Sequence, residues 1–132
     1  MGRQPIVLLA SGDRLAEMTT ANSLVSYGYE VLFTRTLEEA GHLLCTNRRI
    51  SVLVIDTDLG QAGDSLSLAK SARVSDPDLK VIYTSRMPFR LNEAEKVNGA
   101  PCLGAPYRSH QLAGVISQLV RRTVAEEEVY AA

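Results

Sequence analysis

Short, continuous apolar runs alternate with longer stretches of helical period along this chain, and that alternation limits the possible folds more than any other feature. The runs are IVLLA at 6–10, VLF at 31–33, VLVI at 52–55, VIY at 81–83 and a weaker CLGA at 102–105. None shows the in–out alternation of a strand with one wet face. Each therefore predicts a strand covered on both faces, the environment of a parallel sheet. Between the runs lie helices. Leu15, Met18, Leu24 and Val25 mark an apolar stripe that stops at Gly28. Thr36 and Glu39 have capping-box spacing and open a helix carrying Leu37, Ala40 and Leu44. Leu66, Ala69 and Ala72 mark a third helix, ending before Asp76 and Pro77. Residues 91–98 predict a short polar helix. The last helix has Ser109 as N-cap, with Leu112, Val115, Ile116, Leu119 and Val120 on one face.

Five strand–helix units with right-handed crossovers predict a three-layer αβα sandwich of the α/β class. The leading topology is a (βα)5 parallel sheet in the flavodoxin-like order 2-1-3-4-5. A chain of 132 residues accommodates one such domain. Its expected extent is 1–122, with 123–132 as an acidic tail in which Glu126, Glu127 and Glu128 fray into solvent.

Composition excludes several functions. Fourteen Lys and Arg against fifteen Asp and Glu leave a net charge of −1, so no basic field is available for nucleic acid or an anionic membrane. No apolar run is long enough to span a bilayer, and the first lacks the flanks of a signal peptide; a cytoplasmic location is expected. Cys45 and Cys102, with His42 and His110, make neither a metal-ligand pattern nor a disulfide framework. Both thiols sit in apolar contexts and are expected to be buried. The two histidines fall on helices without a nearby nucleophile and are expected at the surface.

In an open parallel sheet, ligands bind beyond the carboxyl ends of the strands. The residues in that position are Ser11, Gly12 and Asp13 after the first run, and Asp56, Thr57 and Asp58 after the third. Thr84, Ser85 and Arg86 follow the fourth, and Ala105, Pro106 and Tyr107 the fifth. Strands 1, 3, 4 and 5 are consecutive neighbours in the predicted order, which makes Asp56 central, with Asp13 on one side and Ser85 on the other.

Taken in order, IVLLASGD at 6–13, SYGYEV at 26–31, VLVIDTDLGQAGD at 52–64, KVIYTS at 80–85 and NGAPCLGAPY at 98–107 resemble the receiver domains of two-component response regulators, the CheY-like family. The resemblance runs from Pro5 to about Arg122. It implies that Asp56 accepts a phosphoryl group from a histidine kinase or a phosphotransfer protein, with Mg²⁺ assisting. It also implies that Ser85 contacts the phosphoryl group and couples it to a switch, and that Pro106 follows a candidate cis bond. The output would be contact with a downstream protein target. By the same resemblance, the docking face is formed by the 91–98 helix, the fifth strand and the final helix. Such a chain is not an enzyme beyond the phosphorylation and dephosphorylation of its own aspartate.

Four positions depart from the family pattern. The acidic pair that holds Mg²⁺ after the first strand is here Ser11 and Gly12. Asp13, one residue later, can offer one carboxylate; it also fits an N-cap. Asp56 and the backbone carbonyl of Asp58 would complete a weak metal site, since Mg²⁺ needs only one or two carboxylates plus waters. The family's phosphoryl-binding lysine is Ala105, and removing one aimed donor from such a site costs a factor of roughly 10²–10³. Arg14, Arg86 and Arg108 are the cations near enough in sequence to substitute. The switch aromatic is Cys102. These departures also favour a second function, a pseudo-receiver that binds partners without phosphorylation. Two further alternatives carry less weight. Asp56 and Asp58 resemble the nucleophile and acid of haloacid-dehalogenase-type phosphohydrolases, but not on the opening strand. A flavodoxin would want more hydroxyls than Ser11 offers.

Overall fold

The structure is a computed structural model. It describes residues 5–12, 14–47, 49–61, 63–87, 96–97, 99–104 and 107–131, with only the backbone described for 14–17 and 121–131. Five strands, β1 (Ile6–Ala10), β2 (Glu30–Thr34), β3 (Ile50–Asp56), β4 (Lys80–Ser85) and β5 (Cys102–Gly104), form one sheet in the order β2-β1-β3-β4-β5, and every pairing is parallel. This is the predicted topology. β3 and β4 extend beyond the apolar runs at both ends, because pairing continues onto polar residues such as Ser51, Thr84 and Ser85 once the buried centre has set the register.

Four described helices cover the sheet: α1 (Arg14–Ser26), α2 (Leu37–Thr46), α3 (Asp64–Ser75) and α4 (Ser109–Ala131). The two faces of the sheet carry separate cores. Leu8, Ala10, Leu53, Ile55, Val81 and Tyr83 pack with Ala40 of α2 and Ala69 and Ala72 of α3. On the opposite face, Val7, Leu9, Val52, Val54 and Ile82 pack with Leu24 of α1 and Leu112, Ala113 and Ile116 of α4. Successive strand residues point to opposite faces, so continuous apolar runs are what two buried faces demand. Each fully buried Leu or Ile contributes about 1.5–3 kcal/mol, which makes this layering the main source of stability.

Local signals were met in part. Thr36 caps α2, accepting the N–H of Glu39 on its hydroxyl at 3.1 Å. In α4, Ser109 is the first helical residue rather than the cap. Arg108 occupies the capping place, its N–H donated to the Gln111 side chain at 2.8 Å. In α1 the expected stripe is wrong at two places: Met18 and Val25 are exposed, and the described buried residues of the helix are Thr20 and Leu24. A thirteen-residue helix can present only one arc to the sheet, and i, i+4 spacing puts Thr20 with Leu24. Cys45, expected to be buried, is exposed; it falls beside the arc on which α2 turns Ala40 inward. The backbone at Glu126, Glu127 and Glu128 is helical, part of α4, rather than frayed. The predicted 91–98 helix lies outside the described residues apart from Lys96 and Val97. Among the described residues, no helix is long and apolar enough to cross a membrane.

Candidate functional site

The carboxyl edge of the sheet gathers the polar residues that follow β1, β3 and β4. Asp56 closes β3, the central strand, and pairs in register with Thr84 of β4. The Asp56 Oδ1 accepts the N–H of Asp58 at 2.9 Å, and its carbonyl accepts the N–H of Leu59 at 3.1 Å. This is the Asx-turn chemistry that lets a short carboxylate hold its own loop.

The same turn is fastened to β4 and α3. Thr57 donates its N–H at 2.9 Å and its hydroxyl at 3.3 Å to the Thr84 carbonyl. Ser65, fully buried in the first turn of α3, donates its hydroxyl to the Thr57 carbonyl at 3.3 Å. Gly60 has φ 75°, and a Cβ there would come within 2.7 Å of the Leu37 side chain. Only glycine lets the loop lie this close to α2 without strain.

Ser85 closes β4 and is 6% exposed. Its Oγ accepts the N–H of Met87 at 3.1 Å, and its strand partner on β5 is Gly104. Asp56 and Ser85 therefore end adjacent strands, as the sequence predicted. Arg86 is exposed immediately after Ser85, and Arg108 is exposed before α4.

The β1 flank is different. The N–H of Ser11 donates to the Thr34 carbonyl at 3.1 Å, which ties this turn to β2. Gly12 is exposed and its φ is not in the left-handed region. A Cβ at Gly12 would meet only the Leu59 side chain, at 3.7 Å, an ordinary van der Waals contact. The described neighbours therefore impose no steric requirement for glycine at the Cβ position.

Asp13, Ala105 and Pro106 lie outside the described residues, as does the Arg14 side chain. Asp58 is exposed. Among the described residues, no group of three or more His, Cys, Asp or Glu could hold a metal ion. The Asp56 carboxylate and the Asp58 carbonyl remain as oxygen donors of the kind Mg²⁺ takes alongside waters and phosphate oxygens.

Sequence inspection missed one residue of this edge. Cys102 is half-buried and stands opposite Tyr83 in the β4–β5 register. Tyr83 is fully buried, and its hydroxyl accepts the N–H of Val97 at 3.0 Å. An aromatic side chain thus occupies this corner from β4, fixed by a backbone bond. Burial pushes both the Tyr83 hydroxyl and the Cys102 thiol above their ordinary pKa values, with Lys96 acting against the rise in each. The available signal was the spacing in VIYTS, where Tyr83 precedes Ser85 by two and so shares its face. His42 and His110 are exposed, as expected.

No family model matches the sequence, and no curated protein matches it. Solved structures do. A response regulator receiver protein from Sinorhizobium medicae is 24% identical with a TM-score of 0.78, covering 89% of this chain and 95% of that one. A CheY-like receiver domain protein from Methanospirillum hungatei is 17% identical with a TM-score of 0.79, covering 93% and 98%. A response regulator from Thermotoga maritima is 21% identical with a TM-score of 0.75, covering 89% and 98%. Strand order, the acidic turn closing the central strand and these likenesses agree that the chain has the CheY-like fold of response-regulator receiver domains.

Proposed function

We propose that this chain is a two-component receiver that takes a phosphoryl group at Asp56 slowly and signals through protein contacts. The observation that supports it is the placement of Asp56 at the end of the central strand, oriented by the Asp58 amide, with Ser85 ending the adjacent strand. An Asp56 carboxylate oxygen attacks the phosphorus of a phosphohistidine on a histidine kinase or phosphotransfer protein. A P–O bond forms as the P–N bond breaks, and the histidine nitrogen keeps the electron pair. The phosphoryl group is already activated, so positioning and charge neutralisation carry the catalysis. Mg²⁺, when bound, offsets the charge of the phosphoryl oxygens; Asp56, the Asp58 carbonyl and Asp13 would hold it. The Ser85 hydroxyl, which accepts from Met87, keeps its own hydrogen for a phosphoryl oxygen. Pro106 would set the loop beside it. Ser11, Gly12 and Ala105 each remove a charge that the resemblance places there, which is why transfer is slow. The chain turns over no substrate beyond its own phosphoaspartate, and its expected location is the cytoplasm.

A second reading, a pseudo-receiver used as a phosphorylation-independent interaction module, is favoured by Gly12 and Tyr83. The first omits a side chain that the fold would admit at its Cβ, and the second holds an aromatic ring in place where a switch would move it. Acetyl phosphate with Mg²⁺, followed by intact-mass measurement, separates the two. One added phosphoryl group, lost in Asp56→Ala, is the expected result. No adduct, together with no binding of beryllium fluoride, would leave only the interaction module.

A further inference from the structure

A cavity of about 460 Å³ opens between α2 and α3 at the amino end of the sheet. Ile50 opens β3 beside it, whereas Asp56 closes the same strand, a separation of about 20 Å along the strand. The cavity is therefore distinct from the phosphoryl edge. It exists because the facing helical positions are small: Gly41 on α2, with Ser71, Ala72 and Ser75 on α3.

The floor is the core itself. Ile50 and Leu79, 3% and 2% exposed, line it together with Leu44 and Leu68. Asn47 and Asp76 add polar groups to the lining. The Asn47 Oδ1 accepts the N–H of Arg49 at 3.1 Å, and the Asp76 Oδ1 accepts the N–H of Asp78 at 3.1 Å. Both side chains are thus held in place by their own turns, and Asp76 adds a carboxylate to the lining.

We propose that this cavity binds a small, ring-bearing apolar molecule that carries one hydrogen-bond donor. Its volume lies within the range of about 300–1,000 Å³ typical of small-molecule sites, which are mostly apolar with a few fixed polar groups. An apolar cavity of about 150 Å³ holds benzene, so this one has room for two rings. The rings rest on Leu44, Ile50, Leu68 and Leu79, and the donor meets Asp76. An anionic group at that end is repelled by Asp76 and by Asp78 in the same turn.

The probe is 2-naphthol, titrated into the ¹⁵N-labelled protein. Saturable shifts centred on Gly41, Leu68 and Ala72 are expected. Naphthalene-2-sulfonate should bind at least tenfold more weakly. Ser71→Phe fills the mouth from an exposed helical position and should weaken 2-naphthol at least tenfold; Ser75→Leu, also exposed, is the second filling variant. Because Cys45 lines the cavity and Cys102 does not, bound 2-naphthol should slow alkylation of Cys45 alone. Shifts that do not saturate, that centre on Asp56, or that persist unchanged in both filling variants would overturn the proposal. So would equal or stronger binding of the sulfonate.

Discussion

The two flanks of Asp56 are built differently. Towards β4, each polar group also holds the fold: Thr57 to the Thr84 carbonyl, Ser65 to the Thr57 carbonyl, Ser85 to the Met87 amide. Towards β1, Ser11 ties its backbone to Thr34, but Gly12 contributes no side chain although a Cβ would meet no clash there. Hydroxyls and a carboxylate that satisfy loop backbone are kept by the cost of leaving those groups unpaired, about 1–3 kcal/mol each. Carboxylates that would serve only a cation repel one another without it, so folding does nothing to retain them.

The largest expected effect restores charge at the edge. Ala105→Lys should strengthen binding of a phosphoryl mimic roughly 10²–10³-fold, the usual worth of one aimed donor. Calorimetric titration with beryllium fluoride checks it, and no gain would mean that Arg86 or Arg108 already supplies the charge. Next is Tyr83→Phe on the β4 side. Removing the acceptor of the buried Val97 N–H should destabilise the fold by about 1–3 kcal/mol, measured by urea unfolding. If it costs nothing, Tyr83 does not pin this corner.

The same residue sets an alkaline limit. Tyr83 and Cys102 have ordinary values of 10.0 and 9.0, and burial raises both in the folded chain. The unfolded chain therefore loses these protons first, so stability is fully present below pH 9 and falls as pH rises beyond it. The fall should be shallower in Tyr83→Phe. A flat profile from pH 8 to 11 would contradict the burial of both groups.

A smaller gain belongs to the β1 side. Gly12→Asp should tighten Mg²⁺ about tenfold, roughly 1.4 kcal/mol, because a Cβ at this position makes only an ordinary van der Waals contact. Unchanged affinity would show that one carboxylate on this flank is not what the site lacks. The smallest effect is a control that separates fold from site. Thr36→Ala removes the cap of α2 and should cost about 1 kcal/mol of stability while leaving the Asp56 adduct unchanged by intact mass.

The architecture and the position of the central aspartate were legible in the amino-acid sequence. Runs such as IVLLA and VLVI are intelligible only as strands with two buried faces, and strand order then placed Asp56 and Ser85 on neighbouring ends. Helix faces were less legible. Met18 and Val25 satisfy a helical stripe on paper, yet α1 turns Thr20 and Leu24 inward, because the arc a helix buries is chosen by the surface it meets. Cys45 obeys the same rule, since an apolar neighbourhood in sequence says nothing about which side of α2 faces the sheet.

The sequence alone determined the layered α/β fold, since hydrophobic period is local and the handedness of each crossover follows from chain chirality. It also carries Ser11, Gly12 and Ala105 where the resemblance to receiver domains expects an acidic pair and a lysine. Tertiary structure alone decided that a Cβ at Gly12 would meet only Leu59 at ordinary contact, that Tyr83 stands opposite Cys102, and that a cavity lies between α2 and α3. Those facts depend on distances between segments far apart in the chain, and no local pattern encodes such distances.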